Sequence, residues 1–221
     1  MSGPLDDWAD EMLNLLGDKE KMTDKQINII KAAVETFSEK GYAAASTSEI
    51  ARKAGVAEGT IFRHYKTKKD LLLSIMAPVM GKLIAPFALR DFNKVLERDY
   101  PQFSDFLRAV IENRAEFAKK HLPLLKVFLQ EIPFHPELRE HYKKLFAKPV
   151  MERFLQVVKR YQEAGQIIDL PPMAVVRLTA TTIIGYVIAR NIIAPEMEWD
   201  DEAETERIVQ FVMHGLTPPV H

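Results

Sequence analysis

The sequence predicts an all-α protein. Apolar residues recur at helical spacing along nearly the whole chain, and no run of alternating β-branched residues indicates a strand. Short helical segments near the N-terminus precede longer ones, so we expect an N-terminal three-helix domain with a helix-turn-helix, followed by a larger helical domain. The predicted boundaries are 1–22 for an acidic extension, 23–70 for the helix-turn-helix domain and 71–221 for the second domain.

The first segment, 1–22, carries six acidic residues against two lysines and does not look like a secretory signal. Its apolar residues form a stripe at helical spacing over 4–16, which predicts an amphipathic helix packed on its own protein. A disordered leader is the alternative. The stripe consists of Trp8, Met12, Leu15 and Leu16.

The first helix of the next domain begins near Thr23, a residue that favours the N-cap, and ends near Gly41. A connecting helix is predicted from Asp70 to about Ala88, and prolines within it should bend or interrupt it. Further helices are expected over 103–121, 122–132, 136–164 with a kink at Pro149, 172–194 and 201–215.

Residues 47–70 predict two short helices joined by a tight turn and the start of a third. Ser46 or Thr47 can cap the first of these helices, and Gly55 supplies the turn because glycine reaches positive φ without steric cost. Apolar residues four apart point inward from both helices. These inward residues are Ile50 and Ala54 on the first helix, and Ile61 and Tyr65 on the second.

The outward face of the second short helix combines hydroxyl, aromatic, guanidinium and imidazole groups, flanked by lysines. Such a face suits DNA recognition. Geometry alone leaves a second interpretation equally open, a packing unit with a solvated basic face. The residues concerned are Thr60, Phe62, Arg63 and His64, followed by Lys66, Lys68 and Lys69.

The stretch from Gly55 to Leu72 resembles the TetR family of bacterial repressors at nearly every patterned position. The shared pattern is a turn glycine and valine, Gly-Thr, an aliphatic, an aromatic, a variable residue, Tyr or His, an aromatic, then Lys-x-Lys-x-x-Leu. The preceding helix, which ends in Gly-Tyr, is also similar to the family's first helix. The resemblance covers 23–75, about a quarter of the chain, and the remainder is similar in length and helical character.

The resemblance implies a homodimeric transcriptional regulator with an N-terminal DNA-binding domain and a second domain for ligand binding and dimerisation. Such a protein represses from a palindromic double-stranded DNA operator and is released by a small-molecule inducer. The implied phosphate contacts are Thr47, Gly59, Thr60, His64 and Lys68, and the implied base or groove-edge contacts are Phe62 and Arg63. Ser48 is a further DNA-binding candidate.

Two residues depart from the family pattern. Phe62 stands where tyrosine is usual, so the hydroxyl contact is replaced by apolar contact, for example with a thymine methyl group. Glu58 stands where lysine is common, close to the expected path of the phosphates. Its carboxylate could act structurally at the start of the helix, or it could accept a hydrogen bond from a cytosine amino group.

The net charge of −1 hides an uneven distribution. Residues 23–75 hold nine Lys or Arg against six acids, a net +3 on the segment where phosphate contacts would need it. The absence of cysteine excludes thiolate metal sites and fits a reducing cytoplasm. The longest apolar run, Leu178 to Ala189, is shorter than the ~20 residues of a membrane span. We therefore expect a cytoplasmic protein without a membrane segment.

The middle of the chain is rich in aromatic residues and has helices broken by proline. Ordinary core is one interpretation; the resemblance implies a pocket for an inducer, which the scarcity of charge predicts to be apolar or amphipathic. The candidate lining residues are Phe106, Asn113, Phe117, His121, Phe128, Tyr142, Arg177 and Tyr186.

The last two helices are candidates for a dimer interface. The first carries a stripe of mostly small residues that would let another helix approach closely. The resemblance implies that both helices pair with their copies in a four-helix bundle; packing within one subunit is the alternative. The residues concerned are Leu178, Thr182, Gly185 and Ala189, then Ile208, Phe211 and Val212.

Enzymatic function is not predicted. The chain has no Gly-x-Gly-x-x-Gly, no Gly-x-x-x-x-Gly-Lys and no Gly-x-Ser-x-Gly motif. Glu131 and His135 are four apart, but Pro133 lies between them, so a shared helical face is not expected. We expect no catalytic site, metal or cofactor. The alternative class is an enzyme or ligand carrier built on a former DNA-binding scaffold, which would have no affinity for random duplex DNA.

Overall fold

The computed structural model describes residues 23–78 and 85–216, so the predicted amphipathic helix at 4–16 lies outside the described residues. All regular structure in these residues is helical, as predicted. They fall into two compact units, one drawn from 23–78, 85–87 and 120–146, the other from 88–119 and 147–216. The first unit thus includes helices from the middle of the chain, and the domain boundary at residue 70 stays a prediction.

Eleven α-helices and two π-helical turns make up the described residues. In chain order they are α1 Asp24–Ala44, α2 Thr47–Lys53, α3 Glu58–His64, α4 Lys68–Pro78, α5 Ala85–Glu97, α6 Phe103–Lys120, α7 Leu122–Glu131, α8 Pro136–Tyr142, a π-turn Lys143–Ala147, α9 Lys148–Glu163, α10 Pro172–Ile188, a π-turn Ala189–Ile193 and α11 Asp201–Leu216.

Helix α1 begins and ends where its sequence predicts. The Thr23 side chain accepts a hydrogen bond from the Gln26 backbone amide, and the Gln26 side chain accepts one from the Thr23 amide. This reciprocal capping box satisfies two amides that the helix itself leaves unpaired. Helical geometry stops at Gly41, where φ is +77°. The buried face of α1 comprises Ile29, Ile30, Ala32, Ala33, Val34, Thr36 and Phe37.

One predicted helix boundary is wrong, and one predicted kink takes the form of a π-turn. Helix α5 runs from Ala85 to Glu97, well beyond the end expected near Ala88, because Pro86 lies in its first turn, where a missing amide hydrogen costs nothing. The helix expected over 136–164 is divided by the π-turn Lys143–Ala147. Pro149 follows in the first turn of α9 and is the local cause of the interruption that the sequence predicted as a kink.

A polar cluster is buried in the first unit. His135 Nε2 lies 3.2 Å from Glu131 Oε2, and both side chains are largely buried. As expected, the two residues share no helical face, because α7 ends at Glu131. The turn that follows nevertheless brings them together, and the His135 amide donates to the Glu131 carbonyl (3.2 Å). The Tyr42 ring packs at right angles to the His135 ring, with 5.7 Å between ring centroids.

Lys68 joins the start of α4 to the end of α1. Its Nζ donates to the carbonyl oxygens of Tyr42 (2.7 Å) and Ala45 (2.9 Å) and lies 4.4 Å from the centroid of the Tyr42 ring. A cation at the end of a helix satisfies carbonyls that have no intrahelical donor, and the aromatic face adds a cation–π contact. Lys68 therefore stabilises the first unit.

The second unit is built on an aromatic core. The Phe106 ring packs on the rings of Phe154 (5.4 Å) and Phe103 (5.6 Å), and the Tyr161 ring lies 5.2 Å from that of Phe103. The Tyr161 hydroxyl donates to the Tyr100 carbonyl (2.9 Å), so its polar end is satisfied at the edge of the cluster. The predicted helical spacing of apolar residues on α6 is confirmed by their burial.

Helix α10 and the π-turn after it remain poorly covered. Residues Pro172–Ile193 have a mean hydropathy of 1.5, yet the segment is only 28% buried. By length and composition alone, this segment is long and apolar enough to cross a membrane, whereas the shorter run from Leu178 to Ala189 predicted no membrane span. One such helix is weak evidence, because the core helices of soluble proteins pass the same test. Leu178 and Ile184 on α10 and Phe211 on α11 are exposed.

We predict that Lys68→Met lowers the free energy of unfolding by about 1–2 kcal/mol, because the carbonyls at the end of α1 lose a charged donor. Urea denaturation measures the change. The matched control is Lys69→Met, which removes only an exposed ion pair with Glu137 (3.1 Å) and should cost less than about 1 kcal/mol. Equal losses for the two variants would contradict the stabilising role of Lys68.

Candidate nucleic-acid interface

Helices α2 and α3 form a helix-turn-helix. Of the two candidate caps, the structure selects Ser46, whose Oγ accepts a hydrogen bond from the Glu49 amide (3.2 Å). Gly55 has φ +67° and forms the turn, as predicted. The Val56 amide closes the turn by donating to the Ala51 carbonyl (3.0 Å). The predicted inward residues Ile50, Ala54, Ile61 and Tyr65 are all buried.

The outward face of α3 is exposed as predicted. Phe62 is 46% exposed, and Gly59, Arg63 and His64 are exposed with it. Thr60 is half-buried. The first unit does not use these side chains in its core, so they are available to a partner. Their individual DNA contacts remain predictions.

Thr47 and Glu58 are hydrogen-bonded to each other. Thr47 Oγ1, at the start of α2, donates to Glu58 Oε1, at the start of α3, over 2.6 Å. Since a hydroxyl has a single hydrogen, this bond competes with the phosphate contact that the resemblance implied for Thr47. Ser48 is exposed, and its Oγ lies 3.1 Å from that of Ser46.

Lys68 is the second implied phosphate contact that is engaged elsewhere, since its ammonium group is held by the carbonyls at the end of α1. A phosphate would have to share this group with them. Sequence reasoning missed both partnerships. No pattern in the chain signals them, because they depend on how closely the starts of α2 and α4 approach α3 and α1 in space.

Charges on α2 are largely paired with charges on α1. Lys40 donates to Glu49 (2.7 Å) and Lys53 to Glu39 (2.8 Å). The hydrogen bond from Lys40 lowers the pKa of Glu49, and the one to Glu39 raises the pKa of Lys53. Positive charge that forms no ion pair with any described residue is found on and just after α3, on the exposed side chains of Arg63 and Lys66.

The candidate pocket residues are divided between the two units. Three of them, His121, Phe128 and Tyr142, belong to the first unit, and the other five to the second. The rings of Phe128 and Tyr142 pack on each other, with 5.2 Å between centroids. His121 is buried at the start of α7. Their membership of one ligand pocket stays a prediction.

In the second unit, two of the three polar candidates, Tyr186 and Asn113, are hydrogen-bonded within the protein. The Tyr186 hydroxyl donates to Asp201 Oδ1 (3.0 Å), and burial together with this bond raises the pKa of Tyr186 to about 12. Asn113 Oδ1 accepts from Arg114 Nε (3.1 Å), and the Arg114 guanidinium lies 5.0 Å from the Phe117 ring centroid. Arg177 is exposed, and Phe106 belongs to the aromatic core.

A cavity of about 490 Å³ opens between α10 and α11, and none of the eight candidates lines it. Its wall is mostly apolar, and it lies on the face predicted to dimerise. The lining residues are Leu178, Thr179, Thr182, Phe211, Val212, His214 and Gly215. Among the described residues, no group of three or more His, Cys, Asp or Glu side chains is arranged to hold a metal ion.

Comparison with known proteins agrees with this geometry. Residues 29–75 match the family described as "Bacterial regulatory proteins, tetR family". The fatty acid metabolism regulator protein of Bacillus subtilis is 47% identical over 60 residues, which cover 27% of this chain and 31% of that protein. The chain thus matches about a third of that relative's length.

Two further comparisons extend over nearly the whole chain. The HTH-type transcriptional activator FasR of Mycolicibacterium smegmatis is 23% identical over 207 residues, 92% of this chain and 88% of FasR. The crystal structure of the transcriptional regulator FadR from Bacillus subtilis, in complex with stearoyl-CoA, superposes with a TM-score of 0.62 at 24% identity, covering 88% of this chain and 99% of FadR. This similarity shows a shared all-helical fold.

The three lines of observation agree. The first unit has a helix-turn-helix with an exposed polar face, residues 29–75 match one family of regulatory proteins, and 88% of the chain shares its fold with a solved regulator. Residues 29–75 therefore match the TetR family of bacterial regulatory proteins, and the relatives to which the chain is similar are named as regulators of transcription or of fatty acid metabolism.

Proposed function

We propose that this protein is a homodimeric repressor that binds a palindromic DNA operator and is released by an amphipathic small molecule. The observation that carries the proposal is the outward face of α3, which is exposed, basic and aromatic and is held on a buried core. Such a helix fits the major groove, and a two-fold dimer makes its operator palindromic. In this proposal, the protein acts in the cytoplasm.

In this proposal, base edges or the groove wall are contacted by Phe62 and Arg63, and phosphates by the remaining exposed groups of the helix-turn-helix. Gly59 supports close approach to the DNA backbone, because an added Cβ would meet no protein atom within 4 Å and the free space faces outward. The phosphate set comprises Ser48, Gly59, Thr60 and His64, with Thr47 and Lys68 as members that must first leave or share their present partners.

Dimerisation is supported by the apolar surface of α10 and α11. Phe211 is 72% exposed and Leu178 46% exposed, and both border the cavity of about 490 Å³. Gly185 is exposed, and Thr182 and Ala189 are half-buried. The predicted stripe of small residues on α10 is therefore not fully buried within the subunit and can contact a second copy. Contiguous exposed apolar surface of this kind marks an interface.

For the effector, we propose a long-chain fatty acyl-CoA. FadR of Bacillus subtilis, which shares the fold over most of this chain, was crystallised with stearoyl-CoA, and another relative is named a fatty acid metabolism regulator. An acyl-CoA combines a long apolar chain with a charged head, in agreement with the amphipathic ligand that the sequence predicted. The aromatic and aliphatic character of the second unit suits the acyl chain.

A second candidate function is activation. FasR, the relative aligned over 92% of this chain, is named a transcriptional activator. The two functions share the same DNA contacts and differ in where the operator lies relative to the promoter. In vitro transcription from a bound promoter separates them, since a repressor lowers transcript yield and an activator raises it.

We predict that the wild-type protein enriches palindromic fragments from genomic DNA, and that Gly59→Ala weakens binding to them at least about tenfold, or about 1.4 kcal/mol. The added methyl group would lie between the helix backbone and a phosphate. Fluorescence anisotropy measures affinity. Thermal unfolding serves as the control, because Gly→Ala within a helix should raise stability by up to about 1 kcal/mol. Unchanged affinity in a stabilised variant would remove Gly59 from the contact set.

We predict that Phe211→Glu raises the dimer dissociation constant at least about 100-fold, or about 3 kcal/mol, because two-fold symmetry places both new carboxylates in an apolar interface. Analytical ultracentrifugation measures the constant. Phe134→Glu is the matched control, since Phe134 is 76% exposed but follows α7 in the first unit. Dissociation by both variants, or by neither, would contradict an interface on α10 and α11.

We predict that stearoyl-CoA weakens operator binding about 5- to 150-fold, the range that corresponds to ~1–3 kcal/mol of coupling between two sites. Coenzyme A alone and stearate alone should have much smaller effects, because each lacks one half of the amphipathic ligand. Titration of a labelled operator complex with each compound gives the comparison. No release by stearoyl-CoA would reject the acyl-CoA class of effector while leaving DNA binding intact.

A further inference from the structure

The hydrogen bond between Thr47 and Glu58 joins the starts of the two helices of the helix-turn-helix. Glu58 is the first residue of α3 and is exposed, while Thr47 is the first residue of α2 and is half-buried. The 2.6 Å separation is typical of a hydroxyl donating to an ionised carboxylate. An acidic side chain is thus held in place at the beginning of the helix proposed to read DNA.

Helix capping does not explain this arrangement. The N-cap of α3 is Ala57, which has no side-chain capping bond, and the Glu58 carboxylate oxygen Oε1 is directed to Thr47 on the other helix. The helix dipole favours any acid in the first turn, whatever its side-chain conformation. Ile50 on α2 and Ile61 on α3 are already fully buried, so an exposed polar bond adds little to the packing of these helices.

The bond does restrict the side chain of Glu58. A free glutamate loses rotamer entropy when it is ordered, and a side chain already held in one conformation loses less on binding. Thr47 occupies Oε1, and Oε2 accepts no hydrogen bond from any described residue. One carboxylate oxygen is therefore positioned and available on the exposed side of the helix-turn-helix.

We propose that Glu58 determines operator specificity by accepting a hydrogen bond from a cytosine amino group in the major groove, and that Thr47 is its positioning residue. A carboxylate only accepts hydrogen bonds, and cytosine is the base whose major-groove edge offers only a donor. Guanine presents only acceptors and thymine an acceptor and a methyl group, so neither can donate a hydrogen bond to a carboxylate. Adenine offers a donor next to an acceptor, and that acceptor would repel the carboxylate. In this arrangement the Thr47 hydroxyl hydrogen is used by Glu58, so a phosphate contact of Thr47 would require this bond to open.

This inference rests on the proposed function, since it concerns which operator is bound. It also differs from a structural role in one measurable respect. Removing a structural carboxylate near phosphates would tighten binding to every duplex equally. Removing a carboxylate that reads cytosine changes the preference at one symmetric base pair in each half-site.

The test is selection from a randomised DNA library with four full-length proteins: wild type, Glu58→Gln, Thr47→Val and Thr47→Ser. We expect wild type to prefer cytosine at one position of each half-site by about 5- to 150-fold, the equivalent of ~1–3 kcal/mol. Glu58→Gln should move that preference towards adenine, whose amino group and N7 together suit an amide. Thr47→Val should weaken the cytosine preference at the same position, and Thr47→Ser should retain it.

Urea denaturation of each variant, together with affinity for random duplex DNA, shows that the proteins are folded and bind phosphates. A palindrome whose base preferences are unchanged in Glu58→Gln would overturn the inference while leaving the proposed function intact. Unchanged cytosine preference in Thr47→Val would overturn the positioning role of Thr47. Enrichment of no sequence by the wild-type protein would refute the proposed function and this inference with it.

Discussion

The helix-turn-helix depends on the burial of a few apolar side chains from two helices of seven residues each. Helices of this length are unstable alone in water, so they form only because packing holds them. Ile50 on α2 and Ile61 on α3 supply that packing, and the turn at Gly55 lets them meet. The side chains of Phe62, Arg63 and His64 on the opposite face of α3 remain exposed, and that face can therefore bind a partner.

Polar side chains around this core mostly hold the first unit together. Lysines of α1 and α2 pair with carboxylates of the neighbouring helix, Lys68 binds the carbonyls at the end of α1, and Thr47 binds Glu58. The basic charge counted along this segment is therefore not all available for phosphates. Arg63 and His64 on α3 are charged or polar, and they are exposed and not packed in the core. They are therefore central to the proposed contact with DNA.

In the second unit, one helix contributes both to the core and to the exposed apolar surface. Val175, Val176 and Ile183 of α10 are buried in the aromatic core, whereas Leu178 and Ile184 on the same helix are exposed. A helix that is apolar on all faces is stable in water only when other protein surface packs on each of them. Within the described part of one chain, only one face of α10 is packed in this way. The same hydrophobic effect that builds the core thus favours association through the remaining face.

The sequence by itself determined the helical class, the N-cap at Thr23, the turn at Gly55 and the inward residues of α2 and α3, because these depend on local periodicity and backbone preference. It did not predict the His135–Glu131 contact across Pro133, the π-helical form of the kink before Pro149, or the full length of α5. Nor could it show that Thr47 and Lys68 already have partners. Such contacts join residues 11 to 26 positions apart in the chain, and only the tertiary packing of whole helices decides which side chains meet.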